Sequence, residues 1–288
     1  MASTYNELYL ELRRRFRKEG VFDPDRAARE LACMAFGKTR EELVRDGRLY
    51  APAEAARALE ALARRHLSGE PVAYIIGEWE FYGVPLDISR AVLIPRPDTE
   101  VLAARAIEEA RGFAQPRVLD LCAGSGCVGL AVAAQTASAH VLLGELDEEA
   151  LKLCRQNIRR NQLGARVSAV SVDAREKPSR QLGEFDMIVC NPPYIPSADI
   201  ETLDASVREY EPRLALDGGE DGLDFYRAVC SLWRETLHEG GKLLFEVGIG
   251  QADRVFRLMR SSGFGDVQVL QDTAGIPRVV FGTLWGDI

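Results

Sequence analysis

From residue 117 onward, short apolar runs alternate with segments of helical periodicity. The apolar runs are RVLDL, HVLLGEL, RVSAVSV, FDMIVC, GKLLFEVG, DVQVL and RVVFGTLW. Helices are predicted between them, the first up to Gln135 and the others over 147–161, near 222–238 and over 250–262. Alternation of this kind builds a parallel sheet that is covered by helices on both faces. The sequence therefore predicts an α/β fold with a Rossmann-like sheet.

The first 70 residues have a different pattern, which is helical throughout. The stretch FDPDRAARELACMAFG has Asp23 as a candidate N-cap, a proline in its first turn and Gly37 at its end. The stretch PAEAARALEALARRHLSG predicts a further helix. An apolar stripe at helical spacing near the start is formed by Tyr5, Leu8, Leu12 and Phe16. We expect a small helical bundle that is joined to a larger body.

Residues 72–94 are rich in aromatic and β-branched side chains and contain glycines at 77 and 83, a pattern that predicts a β-hairpin. The hairpin would link the helical bundle to the predicted sheet. We therefore divide the chain into a helical domain (1–70), a hairpin and loop linker (71–100) and a larger α/β domain (101–288).

Composition excludes several classes of protein. A net charge of −8 does not suit a chain whose main partner is a nucleic-acid backbone, because phosphates bind to basic surfaces. No apolar run approaches the roughly 20 residues of a membrane helix, and the first residues lack the apolar segment of a secretory signal. The six cysteines form no C-x-x-C pair and have no histidine at metal-ligand spacing. We expect a cytoplasmic protein with reduced cysteines, no membrane association and no metal.

A glycine-rich turn follows the first predicted strand of the sheet. In VLDLCAGSGCVG, the residues Gly124, Gly126 and Gly129 spell G-x-G-x-x-G, and Glu145 ends the next strand. This combination is typical of dinucleotide sites, where the turn meets a phosphate and the acid binds ribose hydroxyls. A tight strand-to-helix turn without any ligand has the same glycine pattern.

Asp120 distinguishes between the candidate ligands, because it lies at the end of the strand beneath the glycine turn. A pyrophosphate would face this carboxylate, and like charges about 4 Å apart repel by several kcal/mol at an interior-like dielectric. S-adenosylmethionine instead carries a cationic ammonium and sulfonium beside its adenosine. We therefore predict this cofactor, with Glu145 on its ribose hydroxyls. Asp173, which closes the third strand, is either an acceptor for the adenine amino group, or a helix cap or surface acid.

The stretch MIVCNPPYIP ends the fourth predicted strand in a rigid elbow. Pro192 and Pro193 cannot donate to a sheet ladder, and residues before a proline stay extended. Asn191 Oδ1 and the Pro192 carbonyl then form two acceptors that suit a planar –NH2 group, and Tyr194 offers a face for a flat substrate. Accepting both hydrogens turns the nitrogen lone pair toward a methyl donor. Positioning and fixed electrostatics would then replace a strong base.

Several motifs together resemble one family. N-P-P-Y after a strand is similar to the motif of amino-group methyltransferases, which act on adenine N6 or on glutamine amides. The stretches that resemble the release factor glutamine methyltransferase family (PrmC/HemK) run over nearly the whole chain. They are GEPVAYIIGEWEFYG (69–83), VLIPRPDTE (92–100), VLDLCAGSG, NPPYIP, EPRLALDGGEDGLDFYR (211–227), FEVGIGQ (245–251) and DTAGIPRVV (272–280).

This resemblance implies a class I S-adenosylmethionine-dependent methyltransferase with a small N-terminal helical domain that recognises the substrate. The implied reaction methylates the glutamine of the Gly-Gly-Gln motif in bacterial class-1 peptide chain release factors, which gives N5-methylglutamine and S-adenosylhomocysteine. The enzyme would thereby modulate translation termination. We expect it to act as a cytoplasmic monomer without a nucleic-acid substrate.

The resemblance also implies roles for individual residues. The IPRPDTE loop, with Arg96, Thr99 and Glu100, would close over the donor. The expected cofactor-binding residues are Arg96, Thr99, Asp120, Cys122, Ala123, Gly124, Ser125, Gly126, Glu145, Asp173, Ala174 and Asn191. The expected substrate-binding residues are Asn191, Pro192, Pro193 and Tyr194, of which Asn191, Pro192 and Tyr194 are expected to be catalytic.

Two positions depart from the family pattern. Glu145 stands where the family often has aspartate, which gives a longer reach with the same chemistry. Ala174 follows Asp173 at a position that is often bulky, so we expect a weaker contact with the edge of the adenine.

Other functions share parts of these signals. An N6-adenine methyltransferase that acts on DNA or RNA would use the same elbow, but it should also carry a basic groove and a target-recognition segment. A NAD-dependent oxidoreductase is opposed by Asp120 and leaves N-P-P-Y unexplained. A binding module without activity would not need the donor loop and the elbow together. We predict the glutamine methyltransferase, with the adenine methyltransferase as the alternative.

Overall fold

The computed structural model describes residues 3–285, and the chain divides after Gly77 into two units. The helices of the first unit are α1 (Tyr5–Lys18), α2 (Pro24–Phe36), α3 (Arg40–Arg45), α4 (Ala53–Leu67) and α5 (Val72–Ile76). Within the described range, none of the helices combines the length and apolar composition that a membrane span requires.

Local signals set the ends of α2 as the sequence predicted. The Asp23 side chain accepts from the Arg26 N–H at the start, and Gly37 adopts a left-handed conformation (φ 60°) at the end. The short helix α3 lies in the region that was predicted to be helical, but its bounds were not predicted, because only Leu43 of its six residues is buried and no periodicity is visible. The predicted stripe of α1 contributes Leu12 and Phe16 to the core of this unit.

The predicted hairpin is present but shorter than expected. It consists of β1 (Glu78–Phe81) and β2 (Val84–Asp87), which pair antiparallel. The expectation was wrong for Val72–Ile76, which forms helix α5 after Pro71 and ends at Gly77 with φ 75°. Proline is well suited to the start of a helix and glycine to its left-handed end, and these two signals outweigh the β-branched composition between them.

Seven strands form one sheet in the described part of the second unit, in the order β5-β4-β3-β6-β7-β9-β8. Their bounds are β3 (Arg117–Leu121), β4 (His140–Glu145), β5 (Val167–Ser171), β6 (Phe185–Cys190), β7 (Leu237–Glu246), β8 (Phe264–Gln271) and β9 (Pro277–Leu284). The first five strands of this order are parallel, as predicted.

The expectation of a wholly parallel sheet was wrong for the last two strands. β9 pairs antiparallel with both β7 and β8. Only residues 272–276 connect β8 to β9, and a parallel pair needs a crossover of a dozen or more residues. The short connection therefore requires a hairpin, and the sheet is mixed.

The α-helices of the second unit are α6 (Thr99–Ala110), α7 (Cys127–Gln135), α8 (Glu148–Arg160), α9 (Ala205–Arg208), α10 (Asp224–Ala228) and α11 (Ala252–Ser261). The 3₁₀ turns are Arg180–Leu182, Ile200–Thr202, Arg213–Ala215 and Arg234–Thr236. The helix predicted near 222–238 is α10 continued by a π-helical segment, Val229–Trp233, and by the last of these turns.

Alternation along the strands separates two faces of the sheet. One face packs against α10 and α11 and includes Leu121, Cys190 and Phe245. The residues next to them in sequence, such as Asp120 and Glu246, point to the opposite face, which α6 and α7 contact. Polar side chains at the ends of neighbouring strands are therefore brought together on the α6 and α7 side.

Candidate active site

A cleft lies at the carboxyl ends of the parallel strands. The chain order reverses between β3 and β6, since β4 and β5 follow on one side and β7 on the other. Ligands of open α/β sheets bind at such a reversal point. The cleft has a volume of about 980 Å³ with its open mouth included.

The structure brings most of the predicted site residues together around this cleft. Those that line it are Thr99, Asp120, Cys122, Ala123, Gly124, Ser125, Glu145, Asp173, Ala174, Asn191 and Pro193. Arg96 forms an ion pair with Glu211. Glu100 lies in a separate groove with Pro97 and Asp98.

Asp120 is held directly beneath the glycine turn. Its Oδ2 accepts from the Gly129 N–H at 2.7 Å, and the residue is 2% exposed. A Cβ at position 129 would lie 2.4 Å from Leu143 Cδ2 and 2.9 Å from Asp120 Oδ2, so glycine is what allows α7 to approach β3 and β4. Burial raises the pKa of Asp120 to about 7, against the opposing effect of the Gly129 hydrogen bond. The site therefore contains a carboxyl that a nearby cation would convert to its charged form.

Glu145 fixes the shape of the turn from the end of β4. Its two oxygens accept from three backbone N–H groups, those of Gly124 at 2.8 Å, Leu146 at 2.7 Å and Asp147 at 2.9 Å. A carboxylate has about four acceptor sites, so the side chain retains capacity for a ligand hydroxyl. Glu145 thus combines a structural role in the loop with a position on the wall of the cleft.

Asp173 is paired with Arg175 on the far wall. The guanidinium contacts both carboxylate oxygens, at 3.1 Å and 2.9 Å. The Arg175 hydrogen bonds lower the pKa of Asp173, so this group stays ionised as an acceptor. Sequence reasoning from single residues missed the apolar wall beside it, which is formed by Pro212, Leu214, Ala215 and Phe225. The signal was available in the stretch EPRLALDGGEDGLDFYR, which carries these residues.

The N-P-P-Y elbow is fixed from two sides. Asn191 Nδ2 donates to Thr99 Oγ1 at 3.4 Å. The Tyr194 carbonyl accepts from Gln251 Nε2 at 2.8 Å, and a Cβ at position 222 would lie only 2.4 Å from that carbonyl oxygen. The elbow is therefore clamped between the start of α6 and the segment that precedes α10, with Asn191 on the wall of the cleft.

The N-terminal and central parts of the chain match two family models, the PrmC N-terminal domain over 7–77 and the Methyltransferase small domain over 98–218. The release factor glutamine methyltransferase of Geobacter sulfurreducens is 45% identical over 231 residues, which are 80% of this chain and 79% of that relative. The relative of the same name from Bradyrhizobium diazoefficiens is 40% identical over 271 residues, or 92% and 90% of the two chains.

The chain belongs to the release factor glutamine methyltransferase family. The resemblance predicted from the motifs is thereby confirmed. The solved structure of a methyltransferase from Pyrococcus furiosus is 17% identical in sequence and has a TM-score of 0.52. The match covers 77% of this chain and 98% of that one, and this likeness shows the fold alone. The class I methyltransferase fold that the sequence predicted is present.

In this family member the IPRPDTE loop (94–100) is held by residues that are far away in the sequence. Arg96 pairs with the buried Glu211, and Asp98 pairs with Arg278 at 2.6 Å. Burial raises the pKa of Glu211, and the Arg96 guanidinium opposes that effect. Both ion pairs anchor the loop on the two sides of Thr99, the residue that contacts Asn191.

Asn157 holds the glycine turn from behind, and sequence reasoning missed this residue. It is completely buried. Its Oδ1 accepts from the Asp87 N–H at 2.7 Å, and its Nδ2 donates to the carbonyls of Asp87 at 3.1 Å and Ser125 at 2.9 Å. One side chain therefore connects β2 to the glycine turn.

Proposed function

We propose that this chain transfers a methyl group from S-adenosylmethionine to the side-chain amide nitrogen of the glutamine in the Gly-Gly-Gln motif of bacterial class-1 release factors. The observation that most supports the proposal is the position of Asn191. It lies on a proline-stiffened elbow at one wall of a cleft whose other walls carry Asp120 and Glu145. The relatives from Geobacter sulfurreducens and Bradyrhizobium diazoefficiens are named for the same activity.

The residues around the cleft fit S-adenosylmethionine, which supplies the methyl group when it is bound. Asp120 presents a buried carboxyl for a cationic centre, and Glu145 keeps acceptor capacity for a ribose hydroxyl. Asp173 is an ionised acceptor for an amino group, beside the apolar wall that contains Phe225. A pyrophosphate at the glycine turn would instead meet the Asp120 carboxyl beneath it, which disfavours a dinucleotide.

The elbow acts on the substrate amide by positioning. We propose that Asn191 Oδ1 and the Pro192 carbonyl each accept one hydrogen of the glutamine –NH2 group, while Pro193 and Tyr194 line the site of the flat amide. The nitrogen lone pair of an amide is delocalised, and it becomes nucleophilic when the nitrogen is drawn out of the amide plane. Two fixed acceptors favour that geometry and need no reorganisation during the reaction.

We further propose that the N-terminal helical domain, residues 1–70, contacts the release factor away from its glutamine. The match of this region to the PrmC N-terminal domain model supports the assignment. In our proposal the enzyme works as a monomer in the cytoplasm, where its substrate takes part in translation termination.

A labelling experiment tests the activity. The protein is incubated with methyl-labelled S-adenosylmethionine and a class-1 release factor, or with DNA or RNA in place of the factor. We expect label on the Gly-Gly-Gln glutamine and none on a factor whose glutamine is replaced by asparagine. Label on a nucleic acid with none on the factor would contradict the proposal and favour adenine N6 methylation.

The same assay tests the role of Asn191. Asn191→Ala should lower kcat by about 100-fold or more, because one of the two acceptors is lost. Calorimetry should show S-adenosylhomocysteine binding within about threefold of the wild type, since the Asp120 and Glu145 walls are intact. A kcat close to the wild-type value would refute the role of the elbow.

A further inference from the structure

One buried acid next to the elbow has no part in the function proposed above. Glu246 is the last residue of β7 and is 2% exposed. β6 and β7 are parallel with Cys190 opposite Phe245, so Asn191 and Glu246 are the next residues on the two neighbouring strands. The alternation of the strands places both on the face that carries α6.

The carboxyl group of Glu246 faces the side chains of Thr99 and Asn191, and hydrogen bonding from both opposes the rise in its pKa. Asn191 Nδ2 also donates to Thr99 Oγ1 at 3.4 Å. The three side chains therefore form a closed polar cluster in which Nδ2 is the donor of Asn191. The second carboxylate oxygen, Oε2, is buried without a hydrogen-bond partner among the described residues.

An asparagine amide can rotate so that its oxygen and its nitrogen exchange places. An acceptor on one side of the group selects the orientation in which Nδ2 faces that acceptor. Here the acceptors are Glu246 and Thr99, so Oδ1 is left on the other side, toward the cleft. A buried carboxylate is costly unless it accepts hydrogen bonds, and its presence at this point needs a reason beyond packing.

We propose that Glu246 is a positioning residue, whose buried carboxyl holds the Asn191 amide by Nδ2 and so directs Oδ1 to the substrate nitrogen. This inference rests on the proposed function for its effect on catalysis, but not for the hydrogen bond itself. Glu246 acts through Asn191 and does not contact the substrate. The resemblance to the family had pointed to the stretch FEVGIGQ without giving this residue a role.

The titratable and charged groups that face Glu246 are Arg278, Asp98, Cys127, Tyr194 and Tyr226. Burial raises the pKa of Glu246 itself to about 7. Burial also raises the pKa values of Cys127 and both tyrosines further above neutrality. A change in the Asn191 environment near pH 7 that disappears when Glu246 is replaced would therefore belong to Glu246.

The test combines kinetics with NMR. Glu246→Met keeps a similar volume but removes both acceptor oxygens, so Asn191 Nδ2 loses this partner, and we expect kcat for the release factor to fall about tenfold or more. Binding of S-adenosylhomocysteine should change less than twofold. The melting temperature at pH 8 should not fall, because the variant also removes a buried charge. A lower melting temperature with an unchanged kcat would mean a merely structural role and would overturn the inference.

The side-chain –NH2 resonances of Asn191, identified by their loss in Asn191→Ala, report on the hydrogen bond directly. In the wild type they should shift with pH around neutrality, and the shift should be absent in Glu246→Gln. The matched control is Glu109→Gln. The carboxylate of Glu109, on α6, pairs with Lys242, which lies on β7 as Glu246 does. We expect this control to leave both readouts unchanged.

The NMR measurement needs no release factor, and its wild-type titration does not depend on the folding of Glu246→Gln. Wild-type Asn191 resonances that show no titration would overturn the inference even if Glu246→Gln does not fold. If the wild type transfers label to the release factor but its Asn191 resonances do not titrate, the inference about Glu246 fails and the proposed function stands. Failure of the proposed function is seen separately, as lack of label transfer by the wild type.

Discussion

Replacing Asn157 by alanine should destabilise the second unit strongly, because this side chain is completely buried and makes three hydrogen bonds. The variant leaves the Asp87 N–H and the carbonyls of Asp87 and Ser125 without their partner. Each buried polar group that loses its partner costs about 1–3 kcal/mol. Carbonyl groups tolerate the loss better than N–H groups. We expect the free energy of unfolding to fall by about 3 to 5 kcal/mol.

The chain offers a matched control at the C-cap of the same helix. Asn161 Nδ2 donates to the carbonyls of Pro85 at 2.9 Å and Asn157 at 3.0 Å, so it also connects α8 with β2. It is only partly buried, and water can replace its hydrogen bonds. We expect Asn161→Ala to cost less than about 1 kcal/mol.

Urea unfolding followed by tryptophan fluorescence measures the difference, since Trp79, Trp233 and Trp285 all lie in the second unit. The midpoint of Asn157→Ala should shift with an unchanged slope. Calorimetry should also show weaker binding of S-adenosylhomocysteine, because the Ser125 end of the glycine turn has lost its anchor. If Asn157→Ala is no more destabilising than Asn161→Ala, the burial argument is wrong.

Three further variants test the site. The pKa of Asp120 is raised to about 7, so its carboxylate form prevails only above neutrality. The affinity for S-adenosylhomocysteine, measured by calorimetry, should therefore rise about tenfold from pH 6 to pH 8. In Asp120→Asn the affinity should not change over this pH range. Gly222→Ala should lower kcat about tenfold or more by displacing the Tyr194 carbonyl, whereas Gly240→Ala, also left-handed but with no atom within 4 Å, should leave kcat unchanged. Equal kcat values for the two would contradict the clamped elbow. Deleting residues 1–77 should raise the KM for the release factor about tenfold without changing S-adenosylhomocysteine affinity; an unchanged KM would count against a recognition role.

Much of the fold could be predicted, because its signals are local. The strands RVLDL and FDMIVC are uninterrupted apolar runs, and β3 and β6 have the bounds that these runs indicated. Helix α2 was bounded correctly by Asp23 and Gly37, whose effects act within one turn. The helix at Val72–Ile76 was missed because five residues are too few to show a helical period.

The site was less predictable wherever its contacts are long-range. The glycine turn and the elbow are visible as motifs, and the structure places Asp120, Glu145 and Asn191 around one cleft. Glu246 is a single acid in an apolar stretch, and Asn157 is one of many polar residues in the stretch CRQNIRRNQ, so neither stands out in the sequence. Only the pairing of β6 with β7, and the packing of α8 behind the glycine turn, bring them to their partners.

The paired charges of the IPRPDTE loop have a practical consequence for protein engineering. Arg96 and Asp98 find their partners in Glu211 and Arg278, which come from separate segments much later in the chain. A chimera that receives this loop from a relative with different charges would bury Glu211 without a counter-ion. The loop and its two distant partners therefore have to be exchanged as one set, although they look like independent modules in the primary structure.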